Sequence, residues 1–267
     1  MRAFVEGVGL LGPGLNGWQA SRLLLAGGAA YAHMPTVVTA SDLLPAAERR
    51  RTGLPVKLAL AAGREAFVHA GRDAATTATV FTSSSGDGEN LHHICAALAS
   101  ADRDISPTRF HNSVHNAPAG YWSIATRSHE SSTSLGCHDG SFAAGLLDAA
   151  AQVAVDGKAV ALISYDHPYP EPLHTARPLS ASFGMALVMA PQSSSHAFAT
   201  LDIGFVTGEA NETGVTDSAL DALRADVPAA RCLPLLAALA RGVTAVVILG
   251  YGRDGKNSHL RVVVSPC

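Results

Sequence analysis

The sequence has few charged residues: they make up 15% of its 267 positions, and the formal net charge is -3. This near balance leaves no basic surface of the kind that binds nucleic acid or an anionic membrane. No uninterrupted apolar run is long enough to cross a bilayer, so we expect no membrane-spanning segment. Hydrophobic residues make up 48% of the chain, which excludes disorder and is enough for one substantial core.

Cysteine is also scarce, and the spacing of the four cysteines suggests no pairing. They lie far apart along the chain, at Cys95, Cys137, Cys232 and Cys267. The first ten residues are too short and too rich in glycine to supply the apolar core of a secretion signal. We therefore expect free thiols in a cytoplasmic protein.

Strand and helix patterns alternate along the chain, which indicates a layered α/β fold. The predicted strands are at residues 3–10, 77–82, 159–165, 184–190, 197–206, 245–250 and 260–264. The predicted helices are at residues 54–70, 91–99, 113–126, 141–156, 217–225 and 232–240. Residues 166–172 are interpreted as a proline-rich surface loop, and residues 254–257 as a turn between the last two strands. No repeat, linker or low-complexity segment interrupts the chain, so we predict a single domain over residues 1–267.

The segment with the clearest chemical potential is GCHDG at residues 136–140, between an extended Ser/Thr-rich run and a helix of small residues. This arrangement places Cys137 on a strand-to-helix elbow, near the positive end of a helix dipole that stabilises a thiolate. With backbone N–H groups as an oxyanion hole, such a thiol is typical of acyl transfer. Cysteine is also a small residue that fills buried turns, so position alone leaves both interpretations open.

Three other patterns are weaker indications of a binding site. His111 and His115 have the i, i+4 spacing of two ligands on one helix face, but no third ligand follows at a recognisable spacing, so we expect no metal site. GxGxxG at residues 7–12 is followed by Pro13, where a dinucleotide-binding motif requires a helix, and we interpret it as a strand edge and turn. SSSGDG at residues 83–88 is suited to holding an anion but lacks the lysine of a phosphate loop. We expect no cofactor.

The order of several stretches resembles a known family. Four of them carry the resemblance: LPVKLALAAGREAF at residues 54–67, VFTSSSG at 80–86, ISPTRFHNSVHNAPAG at 105–120, and SLGCHDGSFAAGLL at 134–147 with the strand through Asp166. GMALVM at residues 184–189 looks like the next strand. Together they resemble the amino-terminal half of a β-ketoacyl-acyl-carrier-protein synthase, a thiolase-fold condensing enzyme. The chain is most similar to the short synthase-like proteins of aryl polyene pathways, which act as chain-length-factor partners of a full synthase.

This resemblance implies a layered thiolase-like (α-β-α) fold, truncated to roughly the amino-terminal half plus a short carboxy-terminal extension. It also implies that the family's nucleophile position falls at Gly140, three residues from Cys137 and almost a full helical turn away. The chain ends before the half that carries the family's two catalytic histidines and lysine. Asp139 and Glu130 are further acidic neighbours that disfavour a thiolate. We therefore expect a subunit without independent activity.

In the family, the helix after the Ile-Ser-Pro sequence packs at the dimer interface and closes the far end of the partner's acyl tunnel. The resemblance makes Phe110, Asn112, Val114 and Asn116 the candidates to line that tunnel or interface, with Val114 nearest the tail pocket. Ordinary core packing is the alternative role for these four residues.

The implied partners are a ketosynthase subunit, in a heterodimer, and an acyl carrier protein, in polyketide or fatty-acid-type biosynthesis. The alternative function is a cysteine-dependent acyltransferase or condensing enzyme that uses Cys137. A homodimeric acyl-binding protein is a third possibility.

Overall fold

The computed structural model describes residues 1–38, 43–251 and 257–267, and the strands in these ranges form one mixed sheet of nine. In chain order the strands are β1 (Arg2–Gly12), β2 (Leu15–Asn16), β3 (Ala78–Thr82), β4 (Ser132–Leu135), β5 (Val160–Asp166), β6 (Phe183–Ala190), β7 (Ala199–Thr207), β8 (Ala245–Gly250) and β9 (Ser258–Pro266). The helices are α1 (Trp18–Leu25), α2 (Ala46–Arg51), α3 (Leu54–Ala70), α4 (Gly88–Ala99), α5 (Pro107–Asn112), α6 (Ala117–Thr126), α7 (Ser141–Asp156), α8 (Leu173–Ala176), α9 (Ser218–Asp226) and α10 (Leu233–Arg241).

The strand order is β4-β3-β5-β6-β1-β7-β9-β8, and β2 adds to β1 as a short hairpin. β3 pairs in parallel with both β4 and β5, whereas the remaining pairs are antiparallel. Within the described residues, β4 and β8 are therefore the two edges of the sheet.

Helices cover both faces of the sheet, so the predicted layered α/β fold is confirmed. α3 and α6 pack on one face, where Ala186 and Val188 of β6 join their core. α1, α7 and α10 pack on the other face, against Met185 and Leu187 of the same strand. β5 and β6 are buried along their whole length, as expected for strands covered on both sides.

The glycines of the GxGxxG pattern serve packing. Gly7 and Gly9 lie inside β1, and a Cβ at either position would collide with the backbone carbonyl oxygens of Ala66 and Ala62 in α3. Residues 7–12 were interpreted as a strand edge and turn, but all six belong to β1, an interior strand, and the turn of the β1–β2 hairpin follows at Pro13 and Gly14. These glycines allow α3 to approach the sheet closely.

The helix predicted at residues 113–126 is two helices, α5 and α6, because two prolines set two separate starts. Pro107 and Pro118 each occupy the first turn of a helix, where a missing N–H costs nothing. The Ser106 side chain accepts the N–H of Arg109 and caps α5. The prediction was therefore wrong to place the first helix after the Ile-Ser-Pro sequence rather than at its proline.

Two further differences lie near β5. Asp166 is the last residue of β5 and is buried, although the sequence analysis placed it at the start of a surface loop. The short helix α8 was not predicted. The predicted turn at residues 254–257 falls mostly on residues 252–256, which lie outside the described ranges.

An ion pair between the buried Glu6 and the exposed Arg72 joins β1 to the residues that follow α3. The Glu6 carboxylate accepts hydrogen bonds from the Arg72 guanidinium and from Ser194 Oγ, the latter at 2.6 Å. Burial alone would raise the pKa of Glu6, but the bonds from Arg72 and Ser194 bring that pKa below its ordinary value. The ionised form of Glu6 is therefore the one that stabilises the fold.

We expect Glu6→Gln to lower the free energy of unfolding at pH 7 by about 1–2 kcal/mol, since the hydrogen bonds from Arg72 and Ser194 then end on a neutral amide and not on a carboxylate. A lowered folded-state pKa contributes stability above the unfolded-state pKa, and that contribution is lost as the pH falls through the folded-state value. The difference in unfolding free energy between wild type and variant, measured by urea denaturation, should therefore become smaller as the pH is lowered from 7 to 3. The exposed pair of Arg2 and Asp202 supplies a control, Asp202→Asn, with little expected effect at any pH. A difference that does not change with pH would contradict this role of Glu6.

Candidate functional site

The elbow between β4 and α7 is closed by one serine. Ser141 Oγ accepts the N–H of Cys137 at 2.9 Å and donates to the carbonyl oxygen of His138 at 2.7 Å. His138–Gly140 form a single 3-10 turn inside this loop, and His138 adopts a positive φ of 49°. The backbone of the elbow is therefore fixed by hydrogen bonds that use no external group.

Cys137 lies before the 3-10 turn, and Gly140 is the N-cap residue of α7. Gly140 is buried and Cys137 is half-buried. The position next to the unpaired N–H groups of α7 therefore carries no side chain. Within the described residues, no hydrogen bond joins the Cys137 thiol to another group. The elbow has the shape of a nucleophile site, with glycine at the start of its helix.

The acidic residues of the elbow are compensated by cations that the sequence analysis did not pair with them. Asp139 accepts hydrogen bonds from Arg177 Nη2 at 2.8 Å and from Arg231 Nη2 at 3.3 Å. Glu130 lies 3.6 Å from the ammonium group of Lys158. Each of these two carboxylates therefore has a cationic partner of its own.

The loop after β3 holds an internal anion. Asp166 Oδ1 accepts hydrogen bonds from Ser83 Oγ at 3.0 Å and from the N–H and Oγ of Ser84 at 2.8 and 2.9 Å. Its Oδ2 accepts the N–H of Ala229 at 2.8 Å. Burial raises the pKa of Asp166, and the hydrogen bonds from Ser84, Ser83 and Ala229, which favour the carboxylate, oppose that rise. The SSSGDG segment therefore binds a carboxylate of its own chain, that of Asp166 at the end of β5. Through Ala229, the same carboxylate also connects this loop to the carboxy-terminal part of the chain.

The structure separates the four predicted tunnel or interface residues into two groups. Phe110 and Val114 are 66% and 51% exposed, and Asn116 is also exposed. Asn112 is buried: its Nδ2 donates to the carbonyl oxygen of Arg51 at 2.7 Å, and its Oδ1 accepts from Tyr121 at 2.9 Å. Three residues therefore face outward, while Asn112 holds α5 against its neighbours.

A second exposed apolar group lies on α4, which packs against α5. Leu91 and Leu98 are two turns apart on the same side of α4, and both are about half exposed. Only Gly88 and Asn90 of this helix are buried. We refer to Leu91, Leu98, Phe110 and Val114 as the α4–α5 apolar group.

The edge strand β4 offers unpaired backbone groups. The carbonyl oxygens of Ser131 and Leu135 accept the N–H groups of Thr79 and Ser83, so alternate residues of β4 face β3. The backbone N–H and C=O of Ser132 and Ser134 are therefore directed away from the sheet. Beside them is a hollow of about 510 Å³, lined by these two serines and by His115, Asn116, Ala119, Gly120 and Ser123.

His115 connects this edge to the elbow. Its Nε2 lies 3.3 Å from the carbonyl oxygen of Ser83, and its ring is within contact distance of a Cβ added to Gly136. His111 belongs to α5 and His115 follows that helix, so the two do not share the helix face that their spacing suggested. In the described part of the chain, no three His, Cys, Asp or Glu side chains are grouped as metal ligands.

None of the helices in the described ranges is long and apolar enough to cross a membrane. This finding agrees with the lack of a long apolar run in the sequence.

Comparison with known proteins identifies a family and several solved structures with a similar fold. The family profile described as "Beta-ketoacyl synthase, N-terminal domain" matches residues 18–245. No curated protein matches the chain.

Three solved structures align with nearly the whole chain. One is a ketosynthase (ApeO) in complex with its chain length factor (ApeC) from Xenorhabdus doucetiae, with 20% identity, a TM-score of 0.72 and 99% of both chains covered. The ishigamide ketosynthase/chain length factor aligns at 15% identity and a TM-score of 0.73, over 100% of this chain and 99% of that one. A type II polyketide synthase acyl carrier protein in complex with its ketosynthase (AntDE:AntF) gives 11% identity and a TM-score of 0.77, with the same coverage. At these identities the similarity establishes the fold, a truncated thiolase-like one.

We expect Asp166→Asn to lower the free energy of unfolding by about 2–4 kcal/mol. The amide keeps one acceptor but turns an NH₂ group toward partners that are themselves donors. Urea denaturation followed by circular dichroism measures the change. Asp156→Asn, at the exposed end of α7, is the matched control and should change stability by less than about 0.5 kcal/mol. Equal effects of the two substitutions would show that Asp166 does not organise the loop.

Proposed function

This chain belongs to the β-ketoacyl synthase family, and from that premise we propose that it is a non-catalytic, chain-length-factor-like subunit paired with an active ketosynthase. The observation that carries the proposal is one continuous surface. It runs from the elbow, where His115 lies against Gly136, through the hollow beside β4 to Asn116. The exposed Val114 directly precedes His115 in the chain. This surface combines an open strand edge with exposed apolar side chains and has no reactive group at the start of α7.

The absence of a nucleophile at Gly140 supports a role other than catalysis. In a condensing reaction an acyl group is carried on an attacking atom placed within a fraction of an ångström of its working position. Cys137 lies outside the start of α7, and the adjacent His138 contacts Asp139 at 3.2 Å. No specific contact in the described residues favours the cysteine-dependent acyltransferase.

The open edge of β4 supports a protein partner. An unpaired strand edge is a template for a strand from another chain, and a neighbouring apolar surface adds the burial that a stable interface needs. The small residues that line the hollow allow another backbone to approach closely. We propose that the ketosynthase pairs with β4 and covers the α4–α5 apolar group.

The outward-facing residues of α5 and the following turn supply a means of setting chain length. In this proposal Phe110, Val114 and Asn116 contact the partner's acyl tunnel, and Asn112 keeps α5 in position through Arg51 and Tyr121. A side chain at the end of a tunnel rejects longer chains by steric exclusion.

The biosynthetic setting is also part of the proposal. Structures similar to this chain come from ketosynthase complexes named for chain length factors and for an acyl carrier protein. We infer a cytoplasmic subunit, one domain over residues 1–267, that acts with a ketosynthase on chains delivered by an acyl carrier protein. The product class is an aryl polyene or a related polyketide or fatty-acid-type chain.

Co-expression with an affinity-tagged ketosynthase from the same genome tests the partnership. We expect the untagged chain to be retained by the tagged ketosynthase. Ser134→Pro should reduce the recovery of the untagged chain about tenfold, because proline removes an N–H that faces the partner and not β3. Ser134→Thr keeps that N–H and should be recovered like wild type. Melting curves of the variants exclude misfolding. Failure of the wild-type chain to co-purify, or equal recovery of the proline variant, would contradict the proposal.

The product of the reconstituted pair tests the control of chain length. We expect Val114→Trp to shift the product distribution, measured by mass spectrometry, toward shorter chains, because the indole occupies tunnel space. Val155→Trp, at a valine that is 82% exposed, is the control and should leave the distribution unchanged.

Cys137→Ser should also leave product formation intact. Loss of product in that variant would instead favour catalysis by Cys137.

A further inference from the structure

A second cleft lies at the other edge of the sheet, beside β8. It has a volume of about 420 Å³ and is enclosed by β8, α1, α10 and the segment that leads into α9. Its apolar wall is formed by Leu25, Leu220, Pro234, Ala237 and Val247. The strand order places this cleft at the opposite end of the sheet from β4. Its occupant is therefore separate from the proposed ketosynthase interface.

The chain itself begins a strand-like pairing along this edge. Thr213 donates its N–H to the carbonyl oxygen of Ile248 at 2.9 Å, and the Ile248 N–H donates to Thr213 Oγ1 at 2.9 Å. The outer edge of β8 is thus already used as a hydrogen-bonding surface at one position. The chain then turns away through Gly214, and the pairing stops.

The next outward position on β8 is Val246. Backbone groups alternate along an antiparallel strand, so the N–H and C=O of Val246 point to the same side as those of Ile248. No partner for them is found among residues 1–38, 43–251 and 257–267. The Val246 side chain is 47% exposed. One donor and one acceptor therefore remain open at the mouth of a cleft that has one apolar wall and a polar rim.

Two charged side chains, Asp217 and Arg241, line the rim of the cleft. The Asp217 carboxylate is engaged by the N–H groups of Ala219 and Leu220 at the start of α9. Arg241, at the end of α10, lines the cleft and makes no ion pair within the described part of the chain. A carboxylate on the bound group would therefore meet a guanidinium that has no other partner.

We propose that this cleft binds an extended peptide segment that adds to the edge of β8. A peptide backbone supplies both the donor and the acceptor that Val246 requires. At Ile248 the donor is the Thr213 N–H and the acceptor is the Thr213 side-chain Oγ1. A small apolar side chain of the segment fits the wall of the cleft, and an acidic residue next to it pairs with Arg241. The partner is therefore a protein with an exposed extended segment in which small apolar and acidic residues are neighbours.

Binding of a defined probe tests the proposal. The probe is the acetylated pentapeptide TVTVE, labelled with a fluorophore for anisotropy and unlabelled for NMR titration of the full chain. We expect saturable binding and a shift of the Val246 amide signal. Val246→Pro should weaken binding about tenfold or more, because it removes the outward N–H, whereas Val246→Thr keeps that N–H and should bind like wild type.

The contribution of the Arg241 charge is tested separately from that of the Val246 backbone. Arg241→Gln should weaken binding of TVTVE several-fold and leave binding of TVTVQ unchanged. Absence of saturable binding at millimolar TVTVE would overturn the proposal, as would equal affinity of the folded Val246→Pro variant. Neither outcome bears on the ketosynthase interface, which the Ser134→Pro experiment tests at the other edge.

Discussion

The buried carboxylate of Asp166 is the contact on which the organisation of the site depends. It stands at the end of β5 and accepts hydrogen bonds from the loop after β3 and from the 3-10 turn Pro228–Cys232. A charge taken out of water is tolerated only where several donors replace its hydration. Because these donors come from segments distant in sequence, the carboxylate forces the amino-terminal sheet and the carboxy-terminal helices into one arrangement.

The elbow is held in shape by hydrogen bonds and ion pairs that do not involve the Cys137 thiol. Ser141 closes the backbone, and Arg177 and Arg231 hold the Asp139 side chain from two other segments. These bonds maintain the shape of a strand-to-helix turn whether or not a nucleophile occupies it. The shape therefore has a second use: it supports the adjoining surface of β4 and His115, which we propose to be recognised by another protein.

Local patterns were enough to predict much of the fold. α3 and α7 were predicted with their observed ends, because their alanine and leucine spacing is helical and each is followed by a glycine in the left-handed conformation, Gly71 or Gly157. The seven predicted strands lie within a few residues of observed ones, because they are apolar runs bounded by glycine or proline, whereas the short β2 and the polar β4 were not among them. The split of the predicted helix at residues 113–126 was missed because Pro118 was not recognised as a new helix start.

The chemistry of the candidate site was less predictable, because its contacts are long-range. Asp139 meets Arg177 and Arg231 across 38 and 92 residues of sequence, and no local spacing announces such pairs. Asp166 looked like a loop residue because polar side chains are usually exposed. The exposure of the apolar residues of α4 could not be predicted either. A helix whose apolar face meets a partner has the same sequence periodicity as one whose apolar face meets the core.

The length and composition of β4 have a consequence for the chain before it meets a partner. The strand has four residues, and both residues that turn their backbone outward are serines. Long, flat, apolar edges recruit identical chains into stacked sheets, whereas a short polar edge gives such stacking little to build on. The newly made chain can therefore keep one edge open for the partner that we propose while resisting fibril-like self-association.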